Sequence, residues 1–174
     1  MTDPLDTRSP LVFVTTGGTI DKVYFDAASQ YEIGDSVVQQ VLADALVDVE
    51  FEVLALMRKD SLEMTDEDRR VIRREILSHP ASRFVVTHGT DTMADTANAL
   101  LPVSDKTVVF TGALTPARFR TTDAVFNIGM AVAAAQTLAP GVYLAMSGKV
   151  FAAGTVVKNR ERNRFELLAT TDRS

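Results

Sequence analysis

The sequence predicts an α/β fold, built on a doubly wound, mainly parallel sheet of about five strands with a C-terminal hairpin. Short apolar runs of strand type alternate with longer runs of helical period, which is the signature of stacked βα units. A chain of 174 residues with 46% hydrophobic content buries a sizeable core, and no internal repeat or low-complexity linker divides it. Residues 1–174 therefore read as one domain.

The five runs of strand type are Leu11 to Thr15, Phe51 to Leu56, Phe84 to Thr87, Thr107 to Thr111 and Val142 to Met146. Each is compact and apolar, as a strand covered on both faces requires. Between the first two, Val37, Val38, Val41, Leu42, Ala45 and Leu46 recur at helical spacing after Gly34-Asp35, giving one face to pack on the sheet. Thr65 caps the next helix, which carries Asp66, Glu67 and Asp68 in its first turn and Arg73 and Arg74 later, and stops before Pro80. Charge and cap agree on its direction. Asp91 to Leu101 and Asp123 to Leu138 supply the remaining helices, the second rich in alanine and able to pack closely. After Met146, the segment Ser147 to Lys158 reads as a strand or hairpin. The charged tail beyond it, with Arg160, Arg162 and Arg164, reads as a solvated face.

Composition removes several classes of function. A net charge of −5 argues against general nucleic-acid binding, which draws on clustered Lys and Arg. With no cysteine there is no disulfide framework, redox pair or Cys nucleophile. The polar start, Met1 to Pro10, is not of signal-peptide type, and no apolar run reaches the roughly 18 residues of a membrane span. The expectation is a cytoplasmic protein, with no membrane partner, that takes a small ligand.

In open parallel sheets of the flavodoxin or Rossmann kind, ligands bind outside the carboxyl ends of the strands. Three of these junctions are dense in hydroxyls and carboxylates: Thr16-Gly17-Gly18-Thr19, Lys59-Asp60-Ser61-Leu62-Glu63-Met64-Thr65 and His88-Gly89-Thr90-Asp91-Thr92. The two glycines before Thr19 let the backbone turn sharply and present N–H groups, as a nucleophile or oxyanion site requires. On that pair alone a plain tight turn is the simpler reading. Neither a G-x-G-x-x-G nor a G-x-x-x-x-G-K-[ST] pattern is present, so nucleotide binding loses its main support.

His88 invites a triad with its neighbours, but adjacent strand residues point to opposite faces, and a base must converge on its nucleophile in space. His88 is expected to be structural, hydrogen-bonded near the strand end. His79 is the only other histidine, so no metal-ligand cluster is expected. A threonine nucleophile needs an activating base or relay, and a desolvated lysine is the natural candidate. Lys158 follows Val156-Val157, whereas Lys22 and Lys59 read as exposed. Local sequence leaves Lys158 open between a buried base and a surface lysine at a strand end.

Thr15-Thr16-Gly17-Gly18-Thr19-Ile20 and Thr87-His88-Gly89-Thr90-Asp91-Thr92-Met93 resemble, in order, the two signature motifs of the bacterial-type L-asparaginases and glutaminase-asparaginases. Supporting matches are Tyr31-Glu32-Ile33-Gly34, Asp60-Ser61-Leu62-Glu63-Met64-Thr65, Asp105-Lys106-Thr107-Val108-Val109, Thr111-Gly112-Ala113-Leu114-Thr115-Pro116 and the stretch ending at Lys158, covering nearly the whole chain. The resemblance implies that Thr19 attacks the side-chain amide carbon of L-asparagine, forming a β-aspartyl ester and releasing ammonia. It implies that Tyr31, on a flexible loop, hydrogen-bonds Thr19 and closes as a lid, and that Thr90, Asp91 and Lys158 form the second catalytic group. Asp91 would bind the α-ammonium, Ser61 the α-carboxylate, and the Ala113 carbonyl the leaving nitrogen, while N–H groups near Thr19 and Thr90 stabilise the oxyanion. No metal or cofactor is implied.

Standard members of that family carry a second, C-terminal domain, and a neighbour's copy of it completes the site. This sequence resembles a short, single-domain form, so a homo-oligomer, dimer or tetramer, is expected to shield the site. The loop Thr115-Pro116-Ala117-Arg118-Phe119-Arg120 is more basic than the family's usual loop and is expected to be solvated. The alternatives are a glutaminase-asparaginase, an amidase on a larger amide such as a misacylated tRNA, which the acidic balance disfavours, and an inactive amino-acid-binding module. Two hydroxyls and a lysine exceed what binding alone requires.

Overall fold

The computed structural model describes residues 9–25 and 30–168. Its core is a six-stranded sheet, of which five strands run parallel: β1 (Leu11–Thr15), β4 (Phe51–Ala55), β5 (Arg83–Thr87), β6 (Thr107–Thr111) and β7 (Gly141–Met146). These are the five runs read from the sequence, with ends moved by a residue at most. The sixth strand, β8 (Lys149–Ala152), turns back and pairs antiparallel with β7. The spatial order is β4-β1-β5-β6-β7-β8. Among the five parallel strands the order is second, first, third, fourth, fifth. That is the doubly wound arrangement in which the winding reverses between the first and third strands, here β1 and β5.

Alternate residues of each strand feed the two faces. Val12, Val14, Phe84, Val86, Val108, Phe110 and Leu144 face one core, which α2 (Asp66–Ser78) covers with Ile72 and Ile76, and α3 (Met93–Ala99) with Met93 and Ala97. Leu11, Phe13, Val85, Val109 and Ala145 face the other, covered by Val38, Val41 and Leu42 of α1 (Val38–Asp44) and by Ile128, Ala131 and Ala135 of α4 (Ala124–Thr137). Burying each large aliphatic side chain contributes about 1.5–3 kcal/mol. The outer strand β4 is less covered than its neighbours, and Phe51 is exposed.

The capped helix forms as its sequence directs. Thr65 Oγ1 accepts the Asp68 N–H and the Asp68 carboxylate accepts the Thr65 N–H, a reciprocal box worth about 1 kcal/mol. Lys59 Nζ donates to both Asp68 oxygens at 2.8 Å, and this ion pair holds Asp68 down to about 2. Lys59, whose side chain is 39% exposed, is thus paired, and the less exposed Lys22 is likewise paired, with Asp60 at 3.0 Å. Helix α3 is shorter than the expected Asp91 to Leu101: Asp91 and Thr92 stay in the loop before it, and it ends at Ala99.

Two further hairpins lie off the sheet. β2 (Lys22–Phe25) pairs with β3 (Gln30–Ile33), so Tyr31 sits on a strand opposite Tyr24, not on a plain loop. β9 (Val156–Asn159) pairs with β10 (Arg164–Leu167), placing Phe165 opposite Lys158. This is the C-terminal hairpin, formed further along the chain than Ser147 to Lys158. Val156 and Phe165 anchor it in the core shared with α3. Arg160, Arg162 and Arg164 are exposed, as expected of a solvated face. No helix among the described residues is long and apolar enough to cross a membrane.

Candidate active site

Four strand-to-helix loops meet at the carboxyl edge of the sheet, and glycines let them meet. A Cβ on Gly17 would lie 2.7 Å from the Lys59 amide nitrogen, and one on Gly18 would lie 2.5 Å from the Gly89 Cα. One on Gly89 would lie 2.6 Å from Ser61 Oγ, and one on Gly112 would overlap the His88 carbonyl. Both Gly17 and Gly18 have φ of 96°, a conformation that side chains rarely adopt. The loop after β1 thus rests directly on the loops after β4 and β5, at the reversal point of the winding. Thr16 ties the same junction, donating its N–H at 3.1 Å and its hydroxyl at 2.8 Å to the Thr87 carbonyl.

Thr19 opens a short 3-10 turn, Thr19–Asp21, immediately after Gly18. Its backbone is clamped by bonds from the Asp21 N–H to the Gly18 carbonyl at 3.1 Å and from the Ala117 N–H to the Ile20 carbonyl at 3.1 Å. Across the Gly18–Gly89 contact lie Thr90, which is buried, and Asp91, whose side chain is 35% exposed. Lys158 reaches them from β9. Its Nζ donates to Thr90 Oγ1 and to Asp91 Oδ1, both at 2.7 Å, and its side chain is only 8% exposed. The ambiguity left by local sequence is resolved: Lys158 is covered and points at the two residues of the second motif. Its partners are 68 and 67 positions away, so no local signal announces them.

Ser61 is buried, and its carbonyl accepts the Thr92 hydroxyl at 2.7 Å, which ties the second and third loops together. Ala113 is buried at the end of β6. Tyr31 is 51% exposed, with its ring against Tyr24 at 5.4 Å and Phe119 at 6.1 Å. Among the described residues it makes no hydrogen bond to Thr19, and the contact implied for a lid is not formed here. Phe119 shows that the basic loop after β6 is not simply solvated, because it braces this hairpin.

His88 is structural. Its Nδ1 donates to the Gly89 carbonyl at 2.7 Å, so Nε2 is the acceptor and takes the Thr96 hydroxyl at 2.9 Å. Arg69 Nε in turn donates to Thr96 Oγ1 at 3.3 Å. Burial pushes the imidazole down to about 4, so it stays neutral at physiological pH and braces the Gly89 peptide beneath Thr90. Asp21, two residues after Thr19, went unremarked in the sequence. It is 1% exposed and accepts the Val37 N–H at 3.0 Å, joining the Thr19 turn to the start of α1. Burial pushes its carboxyl up to about 6, against the opposing pull of the Val37 N–H and of Arg118. Among the described residues no group of three or more His, Cys, Asp or Glu is placed to hold a metal ion.

The sequence matches the family domain described as "Asparaginase, N-terminal" over residues 10–169. The chain belongs to the asparaginase family. A "Glutaminase-asparaginase" from Acinetobacter glutaminasificans is 30% identical over 87% of the chain and 50% of its own length. A "Probable L-asparaginase periplasmic" from Haemophilus influenzae is 32% identical over 85% of the chain and 46% of its own length. The solved structure of the thermostable L-asparaginase from Thermococcus kodakarensis superposes with a TM-score of 0.80 at 26% identity, covering 91% of this chain and 51% of that one. This asparaginase-family chain therefore spans about half the length of the relatives it matches.

Proposed function

We propose that the chain hydrolyses the side-chain amide of L-asparagine to L-aspartate and ammonia through a threonine acyl-enzyme. The observation that carries this reading is the bridge of Lys158 Nζ to Thr90 Oγ1 and Asp91 Oδ1, placed across a glycine contact from Thr19. A binding pocket needs none of this pairing, whereas acyl transfer needs a nucleophile, a proton path and an oxyanion site in one place. Names of relatives that include asparaginase and glutaminase support the substrate class.

In the first half-reaction the Thr19 Oγ–carbon bond forms, the carbon–nitrogen bond breaks, and the Thr19 proton reaches the departing ammonia through the Thr90–Lys158 pair. In the second, a water oxygen bonds to the acyl carbon, the ester bond breaks, and Thr19 regains a proton. Asp91 and Ser61 hold the α-ammonium and α-carboxylate, the Ala113 carbonyl meets the amide nitrogen, and N–H groups around Gly18 and Gly89 face the oxyanion. Each such donor contributes about 3–4 kcal/mol in related chemistry. Tyr31 would have to swing inward to act as a lid. No metal or cofactor has a part in these steps.

The test is ammonia release from L-asparagine and L-glutamine by the wild type and by Thr19→Ala, Thr90→Val and Lys158→Met. Each substitution is expected to lower kcat at least roughly 1,000-fold while the protein stays folded. Activity surviving the loss of Thr19 would overturn the mechanism. A folded wild type inert on both amides would overturn the function. Activity on L-glutamine alone would move the substrate to the longer amide.

A further inference from the structure

An Ala113 carbonyl that meets the leaving nitrogen has to be held in place. The peptides around it are tied down by the start of α4. Asn127, fully buried, donates from Nδ2 to the Gly112 carbonyl at 2.9 Å and to Asp123 Oδ2 at 2.9 Å. Its Oδ1 accepts the Ser147 N–H at 3.0 Å, fastening the turn between β7 and β8 to the same point. The Asp123 carboxylate accepts the Leu114 N–H at 3.0 and 3.1 Å and the Thr115 N–H at 3.0 Å. Thr122 Oγ1 donates to the Thr115 carbonyl at 3.0 Å. Both flanks of Ala113 are therefore fixed, while its own carbonyl has no donor among the described residues.

We infer that Asp123 and Asn127 are positioning residues that hold the Ala113 carbonyl as the acceptor for the departing nitrogen. The inference rests on the amide-hydrolysis reading. When the tetrahedral intermediate collapses, the nitrogen gains a proton and its N–H groups become better donors, so an acceptor held still stabilises departure more than the bound substrate. A bonded pair with Asn127 buried and Asp123 half-buried supplies that rigidity, because shifting either partner strands the other's polar groups. Packing alone would be served by an apolar residue at the Asn127 position.

An ester of the same acid has the same acyl group but no N–H on its leaving oxygen, so it does not need this carbonyl. Asp123→Asn removes one of the two oxygens that receive the Leu114 and Thr115 N–H groups and turns an NH2 toward Asn127. We expect its kcat/KM on L-asparagine to fall roughly 10- to 100-fold, while kcat/KM on L-aspartate β-methyl ester stays within about threefold of wild type. Inhibition by L-aspartate, which keeps the α-groups but lacks the amide, should be unchanged. Thr122→Val perturbs the same loop more gently and should show the same amide-specific loss at smaller size, so it serves if Asp123→Asn does not fold. Equal losses on amide and ester, or no loss on either, overturn this inference alone. A wild type inert on both substrates overturns the proposed function and this inference with it.

Discussion

Buried single groups decide how the site responds to pH, and Asp21 is the clearest. Burial raises its carboxyl from the ordinary 3.8 to about 6, so the folded chain holds this proton more tightly than the unfolded chain. The corresponding stability is present in full below pH 3.8 and is lost as pH rises through about 6. Asp21→Asn cannot titrate, yet it keeps an oxygen for the Val37 N–H. Relative to wild type, the variant should gain roughly 2–3 kcal/mol between pH 4 and pH 8. Denaturant melts at the two pH values measure this directly, and parallel stability curves for the two proteins would sink it. Thr19, Thr90 and Asp91 stood out as candidates because each sits in a short run with glycine at a strand end. Asp21, Asp123 and Asn127 did not, because their roles come from backbone groups that only the folded loops bring to them.

At the scale of elements, the loops depend on contacts that exclude a side chain. Gly18→Ala must place a Cβ against the Gly89 backbone at φ of 96°, which pushes the Thr19 loop off the loop carrying Thr90. It should cost at least about 2 kcal/mol and roughly 100-fold in activity. Gly129 is the opposite case, exposed on α4 with nothing near its missing Cβ, and Gly129→Ala should stabilise by about 0.5–1 kcal/mol with activity kept. Thermal melts with an ammonia assay on both variants test the pair, and a neutral Gly18→Ala would refute the loop-contact account. The core strands and the capped α2 were readable because burial and capping leave marks in residue order. Hairpin β2–β3 was not, since Tyr24 and Tyr31 are both about half exposed and no buried face imposes alternation. The run after Met146, read as a strand or hairpin, divides in the fold between the edge of the main sheet and the separate C-terminal hairpin.

For the whole molecule, the strand order matters more than the strand count. The sequence implied a parallel doubly wound sheet, but only the fold puts β1 beside both β4 and β5, and so brings the loops carrying Thr19, Ser61 and Thr90 into contact at one sheet edge. That edge is open in a single chain: Asp91 is 35% exposed at its side chain, and the rings of Tyr24 and Tyr31 on the hairpin after Thr19, with Phe119 against them, are 54%, 51% and 42% exposed. Oxyanion stabilisation weakens where bulk water competes with fixed donors, and an exposed aromatic group of this kind favours being covered. We therefore expect the active form to be a homo-oligomer in which a second copy covers this edge. Sedimentation should show a dimer or tetramer at assay concentrations, and specific activity should fall on dilution as the assembly separates. Tyr24→Ser, which removes an exposed ring without touching Thr19 or Lys158, should shift dissociation to higher concentration and leave the activity of the assembled form within about twofold. A monomer with undiminished specific activity across the dilution series would show that one chain closes its own site, and Tyr31 swinging inward would then be the remaining means of excluding water.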